Sequence, residues 1–215
     1  MQDSEIWPIV WLSLQVSGLA VGISTVIGVP LGTWLGLTHF SGKRFVTALV
    51  HTGMALPPVV VGLVIYLLLS RSGPMAFLGW LFTPQAMVLA QTILALPFVV
   101  GITMTAVAAV PPDLSFQLRS LGASPAQARW AMLREARPGV VLAISTALGR
   151  SVSEVGAVLI VGGNIEGHTR VLTTAIILET SKGQFALALA LGAALLTIAL
   201  VVNVVILRFH GRPLP

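Results

Sequence analysis

The chain has 215 residues, of which 56% are hydrophobic and only 9% charged, with a formal net charge of +5. A soluble domain carries roughly 25% charged residues, so this composition and a mean hydropathy of +0.96 exclude one and place the chain in a bilayer. Cysteine is absent, which removes disulfides, thiolate catalysis and cysteine-based metal sites.

Crossing a hydrocarbon core of ~30 Å takes about 20 apolar residues. Five segments reach that length: Ile9 to Leu37, Phe45 to Ser70, Ala86 to Val110, Val140 to Val161 and Phe185 to Leu207. Asp3 and Glu5 stand before the first, where a cleaved signal would be basic, so it is read as a retained span. Within it Pro30 predicts tilt or a kink. Gly18 and Gly22, then Gly28, Gly32 and Gly36, recur every four residues. That spacing lines one helix face with small residues for close packing, within a subunit or between two copies. Pro57-Pro58 and Pro97 predict further kinks, and Gln15, Gln91 and Asn203 are expected to hydrogen-bond between helices.

The basic residues orient the chain. Lys43, Arg44, Arg119, Arg129, Arg134, Arg137, Arg208 and Arg212 fall on one side of these spans, against Arg71, Arg170 and Lys182 on the other. The more basic side is cytoplasmic. The N-terminus is then outside, the C-terminus inside, and the charge reports topology; no nucleic-acid partner is expected. A single all-α transmembrane domain over residues 1–215 follows, with a cytoplasmic loop at 111–139 and an outer loop at 162–184. In the first outer loop, Arg71 to Gln85, Trp80 and Phe82 suit the lipid interface. In the second, Val171 to Leu178 is apolar but too short to span, as in a surface or re-entrant helix.

No phosphate-binding loop is present. The nearest approach, Gly36 to Gly42-Lys43, has five intervening residues where four are needed and is followed by Arg44. Any ATP-driven function therefore draws on another chain. His39, His51, His168 and His210 share no metal-ligand spacing, so no metal is expected.

Three stretches carry polar chemistry. In the central loop, Gly122 suits a left-handed cap closing one short helix, and Ser124-Pro125 suits the start of the next. The product is helix, tight turn, helix, a compact docking surface. In the fourth span Arg150, Ser151, Ser153 and Glu154 fall near the middle, where an ionised side chain costs about 2.5 to 3.5 kcal/mol. Arg150 and Glu154 are one helical turn apart and positioned to pair, either as a pore gate or as a structural ion pair. That span contains no histidine to activate Ser151 or Ser153, so hydrolytic chemistry lacks its base. In the second outer loop Gly162, Gly163, Asn164, Thr169, Arg170, Thr173 and Thr174 offer N–H, hydroxyl and guanidinium donors. These suit a tetrahedral oxyanion, and equally a tight turn with helix caps.

Arg119, Ser120, Leu121, Gly122, Ala123 and Ser124 together resemble the coupling loop of ABC-importer permeases. The acidic residue and two alanines that usually open that motif are here Phe116, Gln117 and Leu118, which leaves Leu121, Gly122 and Ala123 as the expected contacts. Ser153-Glu154-Val155-Gly156-Ala157 and the stretch from Gly162 to Gly183 resemble the tungstate permeases of bacterial and archaeal ABC importers, kin of the molybdate and sulfate permeases. The resemblance implies a MetI-like fold in the cell's inner membrane and a second copy of the subunit. It also implies an ABC ATPase that holds ATP and Mg, and an extracytoplasmic oxyanion-binding protein. No cofactor is expected on this chain. Tungstate is the expected cargo, molybdate or sulfate the alternatives, and a self-contained secondary transporter or channel the alternative of another class. The purified chain alone is predicted to hydrolyse no ATP in a phosphate-release assay; turnover by it would refute this reading.

Overall fold

A computed structural model describes residues 3–208, which fold into α-helices joined by short turns. In chain order they are α1 (Asp3–Leu37), α2 (Lys43–Met54), α3 (Pro58–Leu69), α4 (Pro84–Ala108), α5 (Pro112–Ser120), α6 (Pro125–Glu135), α7 (Arg137–Val152), α8 (Gly156–Gly162), α9 (Leu172–Ser181) and α10 (Phe185–Arg208). His210 and Arg212 lie outside the described residues.

Helices α1, α4 and α10 are each long and apolar enough to cross a membrane, and the count rises to five when two bent pairs are each taken as one span. Five spans are thus reached as expected, the second with the kink expected at Pro57-Pro58 and the fourth with a break that its residues did not predict. The second span is divided into α2 and α3, bent by 96°, and the fourth into α7 and α8, bent by 56°. At the first bend Pro57-Pro58 offers no N–H to continue the helical ladder, and its rings clash with the preceding turn. Pro57 takes an extended conformation and Pro58 opens α3. Pro30 and Pro97, by contrast, lie inside α1 and α4 without interrupting them.

The pairing of α1 with α4 shows what the glycines do. A Cβ added to Gly32 would stand 2.6 Å from the Val100 carbonyl oxygen, one at Gly28 2.8 Å from Val99, and one at Gly36 2.9 Å from the Met104 carbonyl oxygen. Those three let the two backbones touch. Gly18 and Gly22 meet nothing within 4 Å, so only part of the series packs inside the subunit. Ser24 adds a bond across the same seam, donating to the Thr92 carbonyl at 3.2 Å. The α2 helix closes on α4 similarly, with Pro97 against Gly53 and Met54 against Gly101.

One buried cluster joins α1, α3, α4 and α8 through Val16, Ile65, Met87, Leu94, Val158 and Val161. A second ties α9 to α1 and α10 through Leu172, Ala175, Ile9, Val10 and Leu191. Because Leu172, Thr173, Thr174, Ala175 and Glu179 are buried, α9 is folded into the protein and is not a surface helix. Leu189, Leu196 and Leu200 of α10 stay exposed, as a lipid-facing surface requires.

The expected interhelical bonds are realised in part. Gln91 Nε2 donates to the Ser151 carbonyl at 3.1 Å, whereas Asn203 Nδ2 donates back to Ala199 of its own helix at 2.9 Å. Gln15 is exposed. In the first outer loop Phe82, 39% exposed, is tied to α8, its N–H donating to the Val161 carbonyl at 2.9 Å and its ring packing on Gly163. Replacing Gly32 by Ala is predicted to destabilise the protein by about 1–3 kcal/mol through overpacking. Gly18→Ala should cost nothing; thermal unfolding in detergent micelles measures both.

Candidate functional site

The break in the fourth span is the most heavily bonded polar feature of the membrane region. Helix α7 ends at Val152, and Val155 leaves helical geometry at φ −121°, ψ −53° before α8 begins. Backbone groups freed by a break in lipid must find partners in the protein. Here they come from three directions. Gln91 of α4 donates to the Ser151 carbonyl. Thr173 of α9 donates its hydroxyl to the Glu154 carbonyl at 3.0 Å. The Glu154 carboxylate, only 4% exposed, accepts the Ala157 N–H at 3.1 Å. Gly156 is required at the turn, since a Cβ there would lie 2.9 Å from Val59 of α3.

This geometry corrects the pairing expected of Arg150 with Glu154. The helix that would have stacked them ends between them, and the carboxylate turns forward to its own next turn. Among the described residues the ion pairs are Arg170 with Glu166 at 3.4 Å and Lys182 with Glu179 at 3.0 Å. Arg150 is half-buried on the last turn of α7, and its guanidinium neither pairs with nor hydrogen-bonds to a described residue. Ser153 is exposed beside it and returns its hydroxyl to the Gly149 carbonyl at 2.9 Å.

In the second outer loop most of the candidate donors are already engaged. Gly163, at φ +71°, closes α8 with its N–H on the Leu159 carbonyl at 3.0 Å. Gly162 is packed against Met87. Buried Thr169 accepts the Ile165 N–H at 2.9 Å and donates to the Gly162 carbonyl. Thr174 accepts the Val171 N–H at 3.1 Å, capping α9. The hydroxyls thus act as caps and turn locks. Asn164, at φ +51°, keeps a buried Oδ1 without a partner, and Arg170 keeps a buried Nε without one. Sequence reading missed that Ser13 of α1 accepts the Leu172 N–H at 2.8 Å, fixing the start of α9.

At the opposite end of α7 the central loop forms the helix, turn and helix its residues predict. Gly122 adopts φ +90°, with Ala123 N–H on the Leu118 carbonyl and Gly122 N–H on the Arg119 carbonyl, both at 3.0 Å. Ser124 caps α6 reciprocally: its N–H donates to Gln127 Oε1 at 2.7 Å, and its hydroxyl accepts the Gln127 N–H at 3.3 Å. Underneath, Leu114, Met132, Leu133 and Ala136 anchor the pair on Val107 of α4 and on Val110 just beyond it. Outward it presents Leu121, 85% exposed, with Phe116 and Trp130. Arg119, Ser120 and Ser124 are exposed on the same projection. Apolar side chains this exposed on a polar loop mark an interaction surface, for another protein or for the membrane.

Comparison with known proteins agrees with this architecture. Residues 28–212 match the family described as binding-protein-dependent transport system inner membrane components. A probable anion ABC transporter permease of Haloferax volcanii is 48% identical over 94% of this chain and 89% of its own. The tungstate uptake system permease of Peptoclostridium acidaminophilum is 39% identical over 95% and 90%, and the molybdenum transport system permease of Escherichia coli K12 is 33% identical over 86% and 84%. Among solved structures, the inward-facing MetNI methionine ABC transporter superposes with a TM-score of 0.75 at 25% identity, covering 99% of this chain and 100% of that one. This confirms the expected MetI-like fold. The chain therefore belongs to the inner membrane components of binding-protein-dependent transport systems, as a multi-pass, non-catalytic ABC permease subunit whose ATP is hydrolysed on a separate subunit.

Proposed function

We propose that this subunit, with a second copy of itself, lines the inward path of a tetrahedral oxyanion, tungstate in the first place. The observation that carries this reading is Arg150. A guanidinium set on a broken span without a counter-charge among the described residues costs about 2.5 to 3.5 kcal/mol if left bare in the bilayer. A dianion in transit supplies that charge. The names of the relatives, an anion, a tungstate and a molybdenum permease, point to the same class of cargo. Molybdate is the second reading, because it shares the charge and tetrahedral shape of tungstate and the molybdenum permease is itself a relative.

The other candidates fall into three roles. Glu154 holds the break in shape and Ser153 flanks Arg150 on the exposed side. At the outer end Asn164 and Arg170 retain unused polar atoms, while Gly162, Gly163, Thr169, Thr173 and Thr174 keep the loop rigid beneath an extracytoplasmic oxyanion-binding protein. At the inner end Arg119 to Ser124 meet an ABC ATPase that binds ATP and Mg. Leu121 and the turn at Gly122 supply a contact of shape more than of charge. The N-terminus lies outside and the C-terminus inside.

Two substitutions test this. Arg150→Gln is predicted to cut tungstate uptake by the assembled transporter at least tenfold while assembly and ATPase docking persist, with Arg150→Lys retaining part of the activity; unchanged uptake in Arg150→Gln would overturn the proposed anion path. Gly122→Arg adds a side chain where φ is +90° and a bulky charge where the ATPase seats. It should abolish uptake and weaken co-purification of the ATPase while leaving membrane insertion intact. Wild-type uptake in that variant would remove the turn from the coupling role.

A further inference from the structure

Helices α2 and α7 stand on opposite faces of α4. The Thr47 hydroxyl of α2 lies 3.8 Å from the Met104 sulfur, Val50 and Met54 pack on Gly101, and Pro97 packs on Gly53. From α7, Gly139 packs on Ala106, Ala147 joins Ala95 and Val99, and the Ser151 carbonyl takes the Gln91 bond. At 3.6 residues per turn these two sets of α4 positions are roughly half a turn apart. Between them α1 fills one side, through Gly28, Gly32 and Gly36. The other side is an open groove, to which α4 presents Phe98, Ile102 and the exposed Thr105. Where the two broken spans touch, the groove is closed: a Cβ on Gly156 would lie 2.9 Å from Val59, the residue after Pro58 in α3.

Three basic residues face this groove. On α2, Val46 and Val50 pack with Leu35 of α1, and the winding of the helix sets Arg44 and His51 on the opposite flank. On α7, Leu148, Gly149 and Val152 line a cleft with α1 and α10, which leaves Arg150 on the groove flank. Arg44 and His51 are exposed, and neither pairs with nor hydrogen-bonds to a described residue. No acidic residue occurs in α2, α4 or α7. Along α4, Arg150 is level with Gln91, His51 falls between Pro97 and Met104, and Arg44 lies past Met104. The steps are about 10 Å each at 1.5 Å per residue. At the last of them Arg44 lines an open cleft of ≈ 560 Å³ with His39, Lys43 and Thr47.

A conducting path must hold an ion firmly enough to admit it and weakly enough, over several sites, to let it go. We propose that His51 and Arg44 are the second and third stations of an anion path that begins at Arg150, an inference that rests on the role given to Arg150 above. A neutral imidazole donates one N–H and a protonated one two, so His51 contacts an oxyanion oxygen in either state. It holds the anion less firmly than a guanidinium does, and fixed charges stand on either side of it. The path therefore follows α2, with an exit at the cleft beside Arg44.

The chain has no cysteine, so single cysteines report on the groove. His51→Cys is compared with Leu49→Cys, a position 54% exposed on the flank away from it. The assembled transporter in nanodiscs is treated with an anionic methanethiosulfonate (sulfonatoethyl) or its cationic trimethylammonium analogue, and modification is read from the mass of this chain. His51→Cys is expected to react at least fivefold faster with the anionic reagent, and Leu49→Cys to show no such preference. Absence of the preference at position 51, or the same preference at both, would remove His51 from an anion path. In proteoliposomes His51→Leu is expected to lower the tungstate delivered per ATP hydrolysed at least threefold, and His51→Lys to restore more than half of it. A loss that Lys does not restore would assign His51 to packing. Normal delivery by His51→Leu beside impaired Arg150→Gln would sink these stations alone; normal delivery by both would sink the role of Arg150 as well. Should His51→Leu fail to assemble, the labelling decides.

Discussion

Lipid cannot hydrogen-bond a peptide group, and the architecture of this subunit follows from how it meets that constraint where its helices break. An uninterrupted helix satisfies itself, as α1, α4 and α10 do. The fourth span stops at Val152 and restarts at Gly156, so its freed groups depend on neighbours. Gln91, Thr173 and the Glu154 carboxylate meet that need from α4, α9 and the break itself. Three separate elements are thereby committed to one short stretch of backbone. The close approach of α1 to α4 through Gly28, Gly32 and Gly36 packs the frame that holds these donors in place.

The same constraint separates the two ionisable residues of that span. Glu154 is structural: its carboxylate shapes the turn from which α8 departs. Arg150, one turn earlier, has no such bond among the described residues. A charge without an internal partner in a membrane protein is commonly tied to what passes through or docks. Division of labour also marks the two ends of the molecule. The loop after α8 spends its hydroxyls on internal caps, whereas the turn at Gly122 leaves Leu121, Phe116 and Trp130 uncovered.

What the sequence revealed, and what it hid, divides by range. The turn at Gly122, the cap at Ser124 and the short helix α9 are specified by a few adjacent residues, and each lies where its local signal put it. The interruption at Pro57-Pro58 was legible as a kink, but its 96° depends on packing against other helices. The break at Glu154 has no proline, and only Gly156 hints at it. Its cause lies in Gln91 and Thr173, which reach it from distant parts of the chain. For that reason helical spacing mispaired Arg150 with Glu154. Asn203 satisfied itself within its own helix, an outcome that composition does not distinguish from a bond between helices. The candidate site was thus legible in its residue types and illegible in their partners.

The hydroxyl of Thr173 has a mechanical consequence. It bonds α9 to the carbonyl of Glu154, while α7 runs from that break to its junction with α6 as a rod of roughly 24 Å, at 1.5 Å per residue. A tilt of about 10° about either end of such a rod carries the other through about 4 Å. Through that one bond α9 is connected to the far end of α7. Any coupling between binding events at the two ends of that rod is reciprocal.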